Sequence, residues 1–380
     1  MVLSYFAHSW LSDWNHGNAH FLRGLARSFQ DRGHQVRAYE AIAGPGGGWS
    51  LAHLRQEPTG AAAVAQFRAR FPDLDIRLYG TPPSAALPIA RDSGLPWAGD
   101  WEHELRDCDL VIVHEWNPLA LLQTLLHWRR RYRFRLVLHD THHRALSQPE
   151  VLQRLPLDQI DGVIAFGESL RRIYRQAGAR RAFTLHEAAD IVHFHPHPAV
   201  PARSDLLWIG NWGDDERSAE LHEYLFGPAR RLGLTTRIHG VRYPAAVQRH
   251  LRRDGFDFRG YLPNLDAPAA YAQTRLALHI PRRPYRNGLP GIPTIRVFEA
   301  LACGMPLLCS PWDDAEQLFR AGEDYWVAQN GAEMAAHMMQ LLSNPTQRTK
   351  MGQRGAATVA ARHTCAHRAL ELEAICRDLD

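Results

Sequence analysis

Lysine is nearly missing from this chain. Of 44 lysines and arginines, Lys350 is the only lysine. The cationic side chains are therefore almost all guanidiniums, a bias that reflects a GC-rich genome more than function, although arginine does suit phosphate. Cysteine is sparse as well. The five cysteines (Cys108, Cys303, Cys309, Cys365, Cys376) form no CxxC pair. An odd count without framework spacing excludes a disulfide scaffold and points to reduced thiols in a cytoplasmic protein. No apolar run is long enough to span a bilayer. The opening "MVLSYFAHSW" lacks a basic n-region and a cleavage pattern, so it reads as a first strand rather than a signal peptide. Nor does one sign of charge dominate. A net charge of +4 and a pI near 8.9 are too mild for a nucleic-acid signature, so nucleic acid is not an expected partner. No repeat of solenoid period occurs, and Gly44 to Gly48 is the one low-complexity tract.

At 380 residues the chain exceeds one ordinary core and suits two domains. Short apolar runs alternate with helical spacing. "MVLSYFAHS" is strand-like, and Phe21, Leu22, Leu25 and Phe29 then share a helical face that Gly33 ends. "QVRAYEA", "CDLVIVHEW", "RFRLVLHDT" and "DGVIAFGESL" continue the pattern. Such alternation means βαβ units and a parallel sheet. "FHPHPAVPARS" then brings Pro196, Pro198 and Pro201 without periodicity and reads as a linker. The alternation restarts at "DLLWIGNW" and runs through "TTRIHGV", "RLALHI", "IRVFEALAC" and "PLLCSPW". The expected fold is α/β, two Rossmann-like domains whose parallel sheets face a central cleft. Residues 1–198 form the first domain, 199–360 the second, and 361–380 a C-terminal helix with the option of crossing back to the first. Ligands in such sheets sit at the carboxyl ends of the strands.

Four stretches carry candidate chemistry. In "NGLPGIPTIRVFEALACG", Gly288, Pro290, Gly291 and Pro293 make a tight approach to a helix beginning near Thr294. A helix start offers free N–H groups and a partial positive charge, and glycine lets a phosphate approach the backbone. Thr294 is placed to cap the helix or bond a phosphate oxygen. Glu299 lies beyond the first turn, where it would accept from a ribose diol or pair with Arg296 at i,i+3. "HSWLSDWNHGNAHF" places Gly17 and Asn18 where a loop turns into a helix. They are either a phosphate contact or a polar loop capped by Asn18. "VLHDTHHRA" ends a strand with His139, Asp140, His142 and His143. "WIGNWGDDER" ends another with Gly210 and Asn211, followed by Arg217. Arg217 is either a functional cation or a solvated partner of Asp214 and Asp215. No HExxH or cysteine spacing supports zinc, so no metal site is expected, and His193, His195 and His197 read as linker residues. "HWRRRYRFR", His127 to Arg135, reads as a solvated helix end, with contact to anionic lipid as the other option.

"IRVFEALACGMPLLCSPW" closely resembles the donor segment of GT-B glycosyltransferases, and the chain is similar to the CgeB-like branch of the retaining family four. "DWNHGNAHFLRGLARSFQDRGHQV", "LHEAADIVHFHP" and "LLWIGNWGDDERSAELHEYLFGPARR" extend the resemblance over most of the chain. It implies a hexosyltransferase that takes a nucleoside-diphosphate sugar as co-substrate, with no cofactor and no catalytic metal. It further implies that Glu299 binds the ribose while Thr294 and Ile295 bind the diphosphate. His139 would donate to the donor sugar and Asp140 would orient it. Arg217 would neutralise the leaving diphosphate, in competition with Arg282 and Arg283. Tyr261 would pack near the base, unless it is simple core packing. There is one departure. Many members carry an acid eight residues before the ribose glutamate, and here that place is Gly291. The acceptor stays open: a glycan, a lipid-linked glycan, a small metabolite or a macromolecule. Peripheral contact with the inner face of the membrane stays open too. A sugar-nucleotide epimerase and a degenerate nucleotide- or partner-binding protein are the alternatives.

Overall fold

The computed structural model describes residues 1–42, 48–80, 101–198 and 200–379. The glycine tract, apart from Gly48, lies outside the described residues. Two compact units are present. The first comprises Met1–His186 and takes back the chain from Cys365 onward, and the second is Glu187–Thr364.

Each unit is a parallel sheet with covering helices. The first sheet contains β1 (Val2–Phe6), β2 (Gln35–Ala41), β3 (Asp75–Tyr79), β4 (Leu110–His114), β5 (Arg135–Asp140), β6 (Gly162–Ala165) and β7 (Ala182–Thr184). Its order is β3-β2-β1-β4-β5-β6-β7. The second contains β8 (Ser204–Ile209), β9 (Thr236–His239), β10 (Asp257–Gly260), β11 (Thr274–His279), β12 (Leu307–Cys309) and β13 (Trp326–Val327), in the order β10-β9-β8-β11-β12-β13. Strands such as "LVIVH" and "LLC" are buried at every position, as expected of parallel sheets covered on both faces. The winding reverses at β1/β4 and at β8/β11. At such a switch the loops leaving two adjacent strands run apart and open a crevice. The loops carrying Gly17, Asn18, Asn211, Arg217 and Arg282 all leave these four strands or their neighbours.

The second unit begins before the proline-rich stretch. "EAADIVHF" is tied into it by the Ala189 N–H, which donates to the His363 carbonyl at 3.0 Å. Helix Cys365–Asp378 belongs to the first unit. It packs on helix Ala19–Gln30, and its Arg368 Nε donates to the His186 carbonyl at 2.8 Å. Arg32 holds Glu373 through two 2.7 Å bonds.

Helix Ile295–Ala302 buries Ile295, Val297, Phe298, Ala300 and Leu301. It stops at Gly304, whose φ of +69° is left-handed, and the Gly304 and Met305 N–H groups return to the Leu301 and Ala300 carbonyls. That is the glycine-terminated ending that the "ACGMP" sequence implies.

Candidate functional site

The carboxyl ends of β8 and β11 in the second unit gather Gly210, Asn211, Arg217 and Arg282. β8 is followed by Gly210, where the backbone is crowded. A Cβ on Gly240, just past β9, would lie 2.0 Å from the Gly210 carbonyl oxygen. A Cβ on Gly210 would itself lie 2.5 Å from the Trp208 ring. The close approach that Gly210 permits is therefore to its own sheet. Asn211 follows, and Gly213, at φ +80°, turns the chain back so that Arg217 folds under the loop.

Arg217 is buried, 8 % exposed, which excludes the solvated alternative. It donates to the Ile280 carbonyl at 3.1 Å, to the Asn211 carbonyl at 2.6 Å and to Asn211 Oδ1 at 2.7 Å. Its guanidinium also lies 5.0 Å over the Trp208 ring. Among the described residues no carboxylate pairs with it. Burial, with Arg282 and Arg296 nearby, pushes Arg217 down to about 9. Glu216 and Tyr243 offset only part of this. Arg282 shares the same acceptor, donating to Asn211 Oδ1 at 3.1 Å, and pairs with Glu216. Arg283 turns away to Glu220 at 2.8 Å, so Arg282 is the arginine that joins Arg217.

Helix Ile295–Ala302 begins beside this group. Thr294 has extended backbone and makes no side-chain cap. Its hydroxyl instead bonds His279 Nε2 at 3.1 Å, linking the helix start to the end of β11. Burial, with Arg217 nearby, pushes the His279 imidazole down to about 3, so it is neutral at pH 7. Glu299 is fully buried and pairs with Arg296 one turn back on the same helix. The Tyr271 hydroxyl approaches the same carboxylate oxygen at 3.5 Å. The i,i+3 pairing left open by the sequence is thus real. Arg296, 22 % exposed at its side chain, connects Glu299 to the surface. Burial lowers the Arg296 cation's affinity for its proton, but the Glu299 carboxylate outweighs this and the net shift is upward. Gly291 needs its left-handed φ of +86°. Tyr261 is half-buried after β10, at the sheet edge away from the β8/β11 switch.

In the first unit, the loop leaving β1 is knitted by a buried carboxyl and a buried guanidinium. Glu40 accepts from the Trp10, Leu11 and Ser12 N–H groups at 2.8, 2.6 and 3.3 Å, and burial raises its carboxyl to about 7. Arg23 donates to the Trp10 carbonyl at 2.8 Å and pairs with Asp13 at 3.4 Å. Gly17 accepts from His20 at 3.0 Å. Asn18 does not cap the helix that follows it. Its Nδ2 donates to Thr141 Oγ1 at 3.1 Å, joining the β1 loop to the end of β5. Thr141 also bonds His114 Nε2 at 2.9 Å.

His139 and Asp140 do not form the expected pair. Neighbours on a strand point to opposite faces. His139 bonds the Tyr5 hydroxyl through Nδ1, and burial lowers its imidazole to about 3. Asp140 accepts from the His142 N–H at 2.8 Å and the Tyr174 hydroxyl at 2.6 Å, and burial raises its carboxyl. Asp140 holds the β5 loop and does not orient His139.

His193 pairs with Asp190 at 3.5 Å, while His195 and His197 are exposed. Among the described residues no group of His, Cys, Asp and Glu is arranged to hold a metal ion. No helix among them is long and apolar enough to cross a membrane. The basic run closes helix Leu119–Tyr132, where Arg129 pairs with Asp161 and Arg131 with Glu102. Tyr271 and His279 belong to the site, and sequence reading passed over both. Each sits in a stretch, "YAQTRLALHI", whose apolar pattern reads as core.

A family model described as "Glycosyl transferase-like" matches residues 217–374. No curated protein matches the chain. Among solved structures it is similar to sucrose-phosphate synthase (tll1590) from Thermosynechococcus elongatus, with 13 % identity and a TM-score of 0.65 over 100 % of this chain and 99 % of that one. Anabaena Alr3699/HepE in complex with UDP-glucose gives 13 % identity and a TM-score of 0.68, covering 100 % of both chains. T4 phage BGT in complex with its UDP-glucose substrate gives 15 % and 0.62, again covering 100 % of both. At these identities the likeness concerns the fold, and the fold is GT-B: two α/β units with parallel sheets.

Proposed function

We propose that this protein is a glycosyltransferase whose second unit binds a nucleoside-diphosphate sugar. The carrying observation is the group of guanidiniums at the start of helix Ile295–Ala302. Arg217 is buried and held only by carbonyl and amide oxygens, with Arg282 and Arg296 near it. A helix N-terminus with a poorly compensated buried cation beside it favours a multiply charged anion such as a diphosphate. The glycosyl transferase-like match over residues 217–374 supports this reading. Uridine is the base we assign, because HepE and BGT are structures with UDP-glucose.

In this reading the diphosphate lies on Thr294, Ile295, Arg217 and Arg282. Asn211, which accepts from both arginines, fixes their spacing. The ribose diol competes with the Arg296 guanidinium for the Glu299 carboxylate. The bond from the sugar's anomeric carbon to the phosphate oxygen breaks as the bond to the acceptor hydroxyl forms. The acceptor's proton passes to the departing phosphate oxygen on the same face, which retains configuration and needs neither a protein nucleophile nor a metal. Arg217 and the helix start stabilise the charge that develops on the leaving group. We assign the acceptor side to the first unit. The CgeB-like branch and transfer of a hexose complete the proposal.

The test is to incubate the purified protein with UDP-glucose and follow UDP and sugar products, with and without candidate glycan acceptors. Acceptor-dependent UDP release supports transfer. Conversion of the sugar without acceptor indicates an epimerase, and binding without turnover indicates a degenerate protein.

A further inference from the structure

Resting on the donor reading above, we infer that Glu316, on the loop after β12, is the specificity residue that recognises the hydroxyls of the donor sugar. The observation is the packing at Gly291. A Cβ built there would lie 2.6 Å from Glu316 Cγ and 2.7 Å from Oε1. The Glu316 side chain therefore rests on the Gly291 Cα and fills the space that any side chain at 291 would take. The left-handed backbone favours glycine at 291, and the missing side chain leaves this space to a carboxylate from another segment.

The loop that delivers Glu316 is fastened at several points. The Gly291 N–H donates to the Asp313 carbonyl at 2.7 Å, so the loop and the glycine-proline turn are bonded together. Asp314 accepts from the Leu318 and Phe319 N–H groups at 3.0 and 2.9 Å. Gln317 takes a left-handed φ of +52°, which sharpens the turn directly after Glu316. The Trp312 ring lies 5.9 Å from His279, the residue bonded to Thr294. Glu316 is thus held over the turn that leads to the proposed phosphate cradle, and it is half-exposed.

Electrostatics decides what such a carboxylate can serve. It repels a phosphate, so it cannot belong to the diphosphate contact formed by the arginines and the helix start. A carboxylate accepts two hydrogen bonds in one plane, which matches the vicinal hydroxyls of a neutral sugar. The sugar is the part of the donor directly beyond the diphosphate. The same charge disfavours a sugar that itself carries a carboxylate. The donor class is therefore a neutral sugar with free vicinal hydroxyls, and not a uronate.

Calorimetric titration of UDP, UDP-glucose and UDP-glucuronate into wild type, Glu316→Gln and Glu316→Ala tests this. Wild type is expected to bind UDP-glucose at least about tenfold tighter than UDP-glucuronate. Both variants should keep wild-type affinity for UDP. They should lose about tenfold in affinity for UDP-glucose and narrow the gap to UDP-glucuronate. Equal UDP-glucose affinity and unchanged preference in both variants would overturn the inference. If wild type does not bind UDP itself, the donor reading falls first and takes this one with it.

Discussion

The Arg217 guanidinium donates to both oxygens of Asn211, the backbone carbonyl at 2.6 Å and the side-chain oxygen at 2.7 Å. A buried cation is thus held by dipoles, and among the described residues no carboxylate forms an ion pair with it, although Glu216 offsets part of its burial from a distance. This arrangement costs stability in the empty protein and favours an arriving anion. Strained or under-satisfied electrostatics of this kind concentrate at functional sites.

Arg217→Ala should therefore lower turnover of the nucleotide sugar by about 100-fold or more, since it removes charge stabilisation of the leaving group. UDP affinity should fall less, because the helix start and Arg282 remain. Steady-state kinetics together with UDP titration separate the two effects. Unchanged turnover would return Arg217 to a packing role.

Glu299 and Arg296 call for a paired test. Glu299→Gln leaves a partly buried guanidinium without its counter-charge. It should cost about 1–3 kcal/mol, less than a fully buried pair because the Arg296 side chain reaches solvent. The double variant Arg296→Met/Glu299→Gln should recover much of that stability but none of the nucleotide affinity. Recovery of both in the double variant would mean that Glu299 serves the fold and not the ribose.

Gly240→Ala should destabilise the second unit by about 1–3 kcal/mol or more, because its Cβ would collide with the Gly210 carbonyl oxygen at 2.0 Å. The carbonyl it displaces precedes Asn211, so nucleotide affinity should fall together with the melting temperature. A variant with wild-type melting and binding would contradict the packing described.

Stability should decline on acidification. Burial lowers His8, His139 and His279 to about 3 and His239 to about 4, and also lowers His16 and His114. The unfolded chain takes up protons on these histidines below their ordinary value of 6.5, and the folded chain does not. Their contribution is present above pH 6.5 and is lost as pH falls, by up to about 1.4 kcal/mol per pH unit for each histidine. The raised carboxyls of Glu40, Glu115 and Asp140 act in the opposite sense, but they are fewer. Thermal melts at pH 5 and pH 7 should differ accordingly. His8→Phe, which keeps the ring stacked on Trp49 at 5.0 Å, should reduce the difference. Equal melting at the two pH values would count against buried neutral histidines.

Much of this molecule is legible in its sequence. The βαβ alternation leads directly to both sheets, because parallel strands buried on two faces must be short apolar runs. The helix in "IRVFEALACG" and its stop are set by one apolar face and by Gly304. The site is only half legible. Asn211, Arg217 and Arg282 stand near strand ends and are visible as such. Tyr271 and His279 are not, because their partners are brought together by parallel crossovers and not by spacing. Pairing His139 with Asp140 fails for a local reason, since adjacent strand residues face apart. Glu316 is invisible at the sequence level, because its meaning depends on a glycine in another segment.

The most direct test of the central claim is calorimetric titration of UDP and of uridine into wild type and Arg217→Ala. The account predicts saturable binding of UDP by wild type, at least about tenfold weaker in the variant, and little binding of uridine, which lacks the diphosphate. UDP binding of equal strength in both proteins, or no binding by a well-folded wild type, would contradict it.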